Sequence, residues 1–248
     1  MKVLVCASKV PDTTTKIVVG DDKKSIDSKG VKFILNPYDE FAIEEGLRTK
    51  EKFGGEVTVV TVGDESSQDI LRTALAMGCD NAILVKTTTA PDSFQVAENL
   101  AAIAKNYQPD IIFMGRQSID FDSLQVPSIT AEMLDMPSVS VVSKLSIEGT
   151  SVTAERDIEG GKEIVTTSLP CLISAQKGLN EPRYPKLPDI MKAKKKPIEE
   201  VAFIDSAKSV EVIGIHLPDK KRVGKIVGDT DADINEIVKL LHEDAKVI

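Results

Sequence analysis

Tryptophan is absent from this chain, and histidine occurs only at His216 and His242, both close to the C-terminus. A Ser–His–Asp or Cys–His catalytic arrangement would have to borrow one of these two, and both read instead as surface residues. Cysteine is nearly as scarce. Cys6, Cys79 and Cys171 are odd in number and show no CxxC spacing, which supports neither a disulfide framework nor a zinc site and leaves each as a small core residue. HExxH, EF-hand and Cys/His ligand spacings are missing, so no metal is expected. No GxGxxG follows the first apolar run. EGGKE at 159–163 lacks the GxxxxGK[ST] frame and lies between strand-like runs, so it reads as a β-turn. The apolar runs, such as IIFM at 111–114, are far too short to span a bilayer. The N-terminus MKVLVCAS lacks the apolar core and cleavage site of a signal peptide and the Arg-rich face of a transit peptide, so a cytosolic or already processed chain is expected.

What is present describes a globular α/β protein. Hydrophobic residues make up 42% and charged residues 28%, with a net charge of -8, well outside the disordered class. KVLVCAS (2–8) is a continuous apolar run of the kind buried on both faces of a sheet. IVVG (17–20) and VKFIL (31–35) bracket a polar stretch and read as a hairpin or excursion. A helix is expected from near Asp39, with acids early and lysines late. EVTVVTVG, NAILVK and DIIFMGRQ then read as strands alternating with the helices SSQDILRTALAMG, DSFQVAENLAAIAKNY and a short ITAEMLD. That alternation predicts a doubly wound, mostly parallel sheet covered on both faces. From Ser138 the pattern changes to an antiparallel hairpin excursion, VSVVSKLSIEG and SVTAERDIEGGKEIVTTS, before PCLISA (170–175) returns as a buried strand. The predicted organisation is an α/β domain at 1–176, a Pro- and Lys-rich segment at 177–196, and a C-terminal arm at 197–248 with short strands and a final helix, DINEIVKLLHED.

In such a sheet ligands sit at the carboxyl ends of the strands. The segments there are Cys6–Lys9, NPYD after Leu35, VGDESS at 62–67 and GRQSIDFDSLQVP at 115–127. The last carries Asp120 and Asp122, then Pro127 in a first helical turn, where a missing N–H costs little. Backbone N–H groups from Ser123 to Val126 could meet a phosphate at that helix end; an ordinary helix start beside two solvated acids fits the local pattern equally well.

The segment 181–196 carries six basic residues against Glu181 and Asp189, a net +4 in an acidic chain. Nucleic-acid binding would need a spread basic face with aromatics or a reading helix, and only Tyr184 is aromatic here. Leu187, Ile190 and Met191 fall at i, i+3, i+4 and predict an apolar stripe on one helical turn. Pro182, Pro185 and Pro188 stiffen its approach. A stiff apolar knob beside lysines is a protein-docking device, with a solvated lysine run as the plainer alternative.

Three stretches, NPYDEFAIEEGLRTKEK, RTALAMGCD and LNEPRYPKLPDIMKAKKKPIE, together resemble the β subunit of electron transfer flavoproteins over essentially the whole chain. AERDIEGGKEIVTTSLPCLIS is similar to that family's signature, departing where Ser174 stands for a usual Thr, Ala or Cys. The resemblance implies a heterodimer whose α subunit holds the redox FAD, with AMP in this chain and no catalytic residue of its own. It implies electrons taken from acyl-CoA and related dehydrogenases, as in fatty acid β-oxidation, and passed to a quinone oxidoreductase. It implies AMP contacts at Cys6, Asn36, Pro37, Tyr38, Asp39, Val62, Gly115, Asp120, Asp122, Ser123, Leu124, Gln125 and Val126, with Tyr38 near the partner's FAD. Leu187 becomes the docking anchor beside Ile190 and Met191, with Lys192 and Lys195 tuning docking. Asp157 becomes an acid pairing with the α subunit in one of its orientations, and the C-terminal arm packs on that subunit. Bacterial cytoplasm or, for a eukaryote, the mitochondrial matrix is the implied location. A bifurcating relative with a second FAD in the AMP place is the close alternative. That branch tends to D-G-D-T-A-Q-V-G-P, whereas Phe121 and Leu124 are bulkier here and Pro127 stands where Gly would be. A stand-alone stress-type adenine-nucleotide domain is the more distant one, and would leave the basic segment and the arm without a role.

Overall fold

The computed structural model describes residues 1–218 and 224–248. In chain order the elements are β1 (Lys2–Cys6), β2 (Lys9–Pro11), β3 (Phe33–Leu35), α1 (Pro37–Phe53), β4 (Glu56–Gly63), α2 (Gln68–Met77), β5 (Asn81–Lys86), α3 (Ser93–Tyr107), β6 (Ile111–Gly115), α4 (Val126–Met133), β7 (Ser138–Glu148), β8 (Ser151–Ile158), β9 (Gly161–Ser168), β10 (Cys171–Ala175), α5 (Leu187–Ala193), β11 (Glu199–Ala202) and α6 (Asp231–Lys239). A nine-stranded sheet runs β11-β5-β4-β1-β6-β10-β7-β8-β9. Every pair from β11 to β7 is parallel, and β7, β8 and β9 form an antiparallel meander. This is the expected doubly wound α/β sheet with its antiparallel excursion.

The unbroken apolar runs follow from burial on both faces. Alternate residues of one strand enter different cores. Val3, Val5, Ile111 and Phe113 pack under α1 and α2, while Leu4, Cys6, Ile112 and Met114 pack under α3 and α4. All three cysteines are buried, and both histidines are exposed. Helix ends obey local chemistry. Pro37 opens α1, whose last turn carries Lys50 and Lys52, and Asp92 with Gln95 forms a reciprocal capping box on α3.

Several boundaries differ from the sequence reading. IVVG forms no strand; only an isolated bridge joins Val19 to Ile26. Its apolar residues Ile17 and Val18 stay exposed, so nothing drives a longer ladder. Asp22 instead closes the loop by accepting from Lys24 N, Ser25 N and Ser25 Oγ. VKFIL pairs with β2, which the sequence did not single out. α4 starts at Val126, ahead of ITAEMLD, with Pro127 in its first turn as expected. β7 runs parallel to β10 at its start and antiparallel to β8 beyond, with a register shift near Lys144. The turn at Glu159–Gly160 is a two-residue hairpin loop with Gly160 at φ +80°, a left-handed conformation suited to glycine. In the arm, β11 joins the sheet edge beside β5, and α6 ends in a short π turn at Leu240–Asp244; residues 219–223 of the expected arm lie outside the described residues.

Candidate functional site

From β1 the chain winds through α1 to β4 and β5, and α3 then carries it back across the sheet to β6. The winding therefore reverses between β1 and β6, the crevice where ligands of open α/β sheets bind. Cys6, Val62 and Gly115 stand at the carboxyl ends of the three strands concerned.

Asp39 ties this crevice together. Its Oδ2 accepts from Ser8 N and Ser8 Oγ, each at 2.7 Å, and its Oδ1 accepts from Gly115 N at 3.0 Å. One buried carboxylate thus joins the ends of β1 and β6 to the first turn of α1. Burial pushes its pKa up to about 6, against the lowering effect of its Ser8, Asn36 and Gly115 partners. Gly115 is required by this closeness: a Cβ there would lie 2.3 Å from Asp39 Oδ1 and 2.8 Å from the Tyr38 backbone. Asn36, fully buried, donates to Gln117 O at 2.9 Å and accepts from Ile119 N at 3.3 Å. The side chains of Asn36 and Asp39 are therefore engaged in holding the loop. Pro37 starts the helix, and Tyr38 is half-buried beneath the Arg116 guanidinium, 5.2 Å from its ring centre. Burial, with Asp39 adding to it, pushes the Cys6 thiol far up, so it is an inert wall.

The loop from Arg116 to Gln125 is exposed from Asp120 onward. Asp122 and Leu124 adopt left-handed φ of +53° and +55°, and Gln125 returns to the right-handed region at φ -104°, ψ -24°. A left-handed residue followed by a right-handed one turns successive N–H groups toward one concavity, a nest that suits an anion. Among the described residues, the N–H groups of Ser123, Leu124, Gln125 and Val126 donate to no protein acceptor. They meet the N-terminus of α4, where the helix dipole favours negative charge. Asp120 turns back on Phe121 N at 2.9 Å, and Asp122 receives the Gln117 amide. Ser123 Oγ lies 3.5 Å from Ser93 Oγ of α3. The predicted Gly115, Asp120, Asp122, Ser123, Leu124, Gln125 and Val126 do lie together, and the donors they offer suit a phosphate.

Two contributors were not singled out from the sequence. Ser8 holds Asp39, and Lys9 Nζ lies 2.7 Å from Asp64 Oδ1, bracing the β1 and β4 loops. Partial burial works against Asp64 ionisation, but Lys9, Ser66 and Ser67 bring its pKa down to about 2. Both residues lie inside strand-end segments, which was the available signal.

Two further regions lie away from the crevice. In α5, Leu187 is 73% and Met191 54% exposed, whereas Ile190 packs against the core. The expected stripe of three is therefore an outward pair, because the short helix must turn Ile190 and Ala193 inward to sit on the domain. Lys192 and Lys195 are exposed, Lys192 standing 3.7 Å from Asp189. Asp157, on β8, accepts from Ser143 Oγ at 3.2 Å and lies 4.0 Å from Lys162 Nζ. The arm crosses α3, where Asn99 exchanges bonds with Ile204 and Asp92 accepts from Ser209 and Val210 N–H groups. On α6, Ile234, Ile237 and Val238 stay exposed.

Fold and site define a doubly wound α/β protein with unpartnered backbone N–H groups at its switch point and an exposed basic segment. The profile of the electron transfer flavoprotein domain matches residues 24–206. Over 259 aligned positions the chain is 44% identical to the electron transfer flavoprotein subunit beta of Bacillus subtilis, covering both chains fully. It is 40% identical to the subunit beta of Mus musculus, covering 93% of this chain and 94% of that one. To the mitochondrial subunit beta of Arabidopsis thaliana it is 36% identical over the full length of both. The chain belongs to the electron transfer flavoprotein β-subunit family. Among the described residues no helix is long and apolar enough to cross a membrane, and no group of His, Cys, Asp and Glu could hold a metal ion.

Proposed function

We propose that this chain pairs with an electron transfer flavoprotein α subunit to form a carrier that takes electrons from acyl-CoA and related dehydrogenases and passes them to a quinone oxidoreductase. The observation that carries the nucleotide side of this reading is the set of unpartnered N–H groups at 123–126, aimed from the switch point of the sheet. On this reading they hold the phosphate of AMP, Gly115 and Val62 line the crevice, and Asn36 and Asp39 shape it through their protein bonds. FAD, held mainly by the α subunit with Tyr38 beside it, supplies the one-electron chemistry. This chain supplies binding, orientation and docking, and no catalytic residue. Residues 1–176 act as the nucleotide-binding domain, 177–196 as the recognition segment, and 197–248 as an arm on the α subunit. Asp157 pairs with that subunit in one of its orientations. The carrier works in bacterial cytoplasm or in the mitochondrial matrix of a eukaryote.

Two features favour AMP over a second FAD: Phe121 and Leu124 are bulkier than the residues the bifurcating branch tends to carry in this loop, and Pro127, in the first turn of α4, stands where that branch carries Gly. Acid release and chromatography of nucleotides from the purified heterodimer tests the assignment. One AMP and one FAD per heterodimer is the expected result. Two FAD and no AMP would make it a bifurcating protein, and no nucleotide at all would overturn the site. A stable homodimer of the chain expressed alone, indifferent to any α subunit, would point to a stand-alone nucleotide-binding domain.

A further inference from the structure

Two of the basic residues that make 181–196 conspicuous turn inward. Arg183 reaches back to α1, its Nε 2.8 Å from Glu44 Oε2 and its Nη2 2.9 Å from Glu44 Oε1, while Nη1 donates to Glu51 Oε1 at 2.6 Å. Glu44 is only 3% exposed while the Arg183 side chain remains 35% exposed, so the carboxylate end of this two-pronged, charge-assisted contact is buried and the guanidinium end still meets water. Arg183 N donates to Glu44 Oε2 at 3.1 Å, and Asn180 Nδ2 donates to Phe41 O at 3.0 Å and Glu45 Oε2 at 2.9 Å. The approach to α5 is therefore fastened along α1. At the other end, Arg72 of α2 donates to Ala193 O at 2.7 Å and to Lys196 O. Lys196 Nζ donates to Cys79 O at 2.8 Å.

Between these fastenings lies a helix of seven residues, far too short to persist alone. Its Ala193 and Ile190 sit on the domain, and Leu187 and Met191 project one turn apart into solvent. A free segment of this composition would have to order itself on binding and would lose affinity by that amount.

We propose that Arg183 and Arg72 are positioning residues that hold α5 as a preformed ridge, so that a dehydrogenase offering an apolar pocket with an acidic rim meets Leu187 and Met191 already in place. This rests on the reading of the segment as a docking surface. Arg183 and Arg72 act through α5, because their side chains are spent on Glu44, Glu51 and backbone carbonyls.

The test uses the α/β heterodimer and an acyl-CoA dehydrogenase, with association followed by surface plasmon resonance and backbone amide exchange of 187–196 followed by mass spectrometry. The main variant is R183M/E44Q, which removes both charges and strands no buried carboxylate. Arg72→Lys, which keeps the charge but gives up the reach and planar geometry that put Nη1 between the two carbonyls, serves if that pair fails to fold. Leu187→Ala is the reference. Leu187→Ala should weaken binding about tenfold or more with exchange unchanged. R183M/E44Q should accelerate exchange in the segment and weaken binding about tenfold, chiefly by slower association, with nucleotide content unchanged. Arg72→Lys should do the same more mildly. Wild-type binding by R183M/E44Q or Arg72→Lys while Leu187→Ala is weakened would overturn the positioning role and leave docking intact, whether or not exchange accelerates. Wild-type binding by Leu187→Ala would remove the docking reading and the positioning role with it.

Discussion

The crevice loop at 115–126 and the recognition segment at 181–196 are built from similar parts and use them in opposite ways. Each is an exposed stretch leading into a short helix with proline in its first turn. On the proposed reading the working groups in the crevice are backbone N–H donors, and buried side chains, Asn36 and Asp39, hold the backbone in place. In the segment proposed for recognition the working groups would be the side chains of Leu187 and Met191, and Arg72 and Lys196 hold backbone carbonyls. A phosphate wants several aligned dipoles, which only main chain supplies so densely. An apolar pocket wants a projecting side chain on a fixed base.

The contrast breaks most severely at Gly115. Gly115→Ala should cost about 3 kcal/mol of heterodimer stability, because the new Cβ meets Asp39 and the Tyr38 backbone, which cannot step aside. Urea unfolding reads that loss, and released nucleotide should fall with it while dehydrogenase binding by the surviving folded fraction stays normal. Unchanged stability would mean the strand end is looser than its bonds imply.

Asp39→Asn sharpens the same comparison at lower cost. An amide faces three donors with one acceptor oxygen, so about 2 kcal/mol should be lost near pH 7. The pH dependence follows from a folded pKa near 6, above the ordinary carboxylate value. The folded state then holds its proton at pH values where the unfolded state has released it. The part of the stability that is tied to this proton is therefore fully present below the unfolded pKa and is lost as pH rises through about 6, and what Asp39→Asn removes near pH 7 is the set of bonds the carboxylate accepts. Unfolding midpoints across pH 4 to 7 should show that slope in the parent and a flatter one in Asp39→Asn. Parallel curves would locate the titration elsewhere.

The smallest effect is expected at Leu124, whose left-handed φ of +55° strains a leucine. Leu124→Gly should relieve up to about 1 kcal/mol of strain, less the entropy that glycine restores to the unfolded chain. Nucleotide content should persist, since the N–H and not the side chain is the donor. Loss of nucleotide without loss of stability would show that the side chain itself contributes to the site. The equivalent truncation in the other region, Leu187→Ala, should behave in reverse, with stability kept and binding lost.

Much of this was legible before any coordinates. Two-faced burial writes itself as KVLVC-like and IIFMG-like runs, and the alternation of such runs with amphipathic helices implies crossover connections and hence a parallel sheet. The strand-end segments were located for the same reason. Local patterning failed where two demands met on one residue. Ile190 has helical spacing with Leu187 and Met191, yet its side chain turns inward because the domain needs an apolar contact there. IVVG has strand composition, yet no surface covers Ile17 and Val18. Asn36 and Asp39 sit in the right segment, but no spacing reveals that their bonds go to Ser8, Gly115, Gln117 and Ile119.

The sequence by itself determined the sheet, its winding, the buried cysteines and the family to which the chain belongs, because apolar periodicity and motif order are properties of neighbouring residues. Only the tertiary structure decided which lysines and arginines face solvent and which are fastened inward. Arg183 meets Glu44, and Lys196 meets Cys79, across more than a hundred residues of chain, and a charge has no local signature of the ion or carbonyl it will find after the chain has closed.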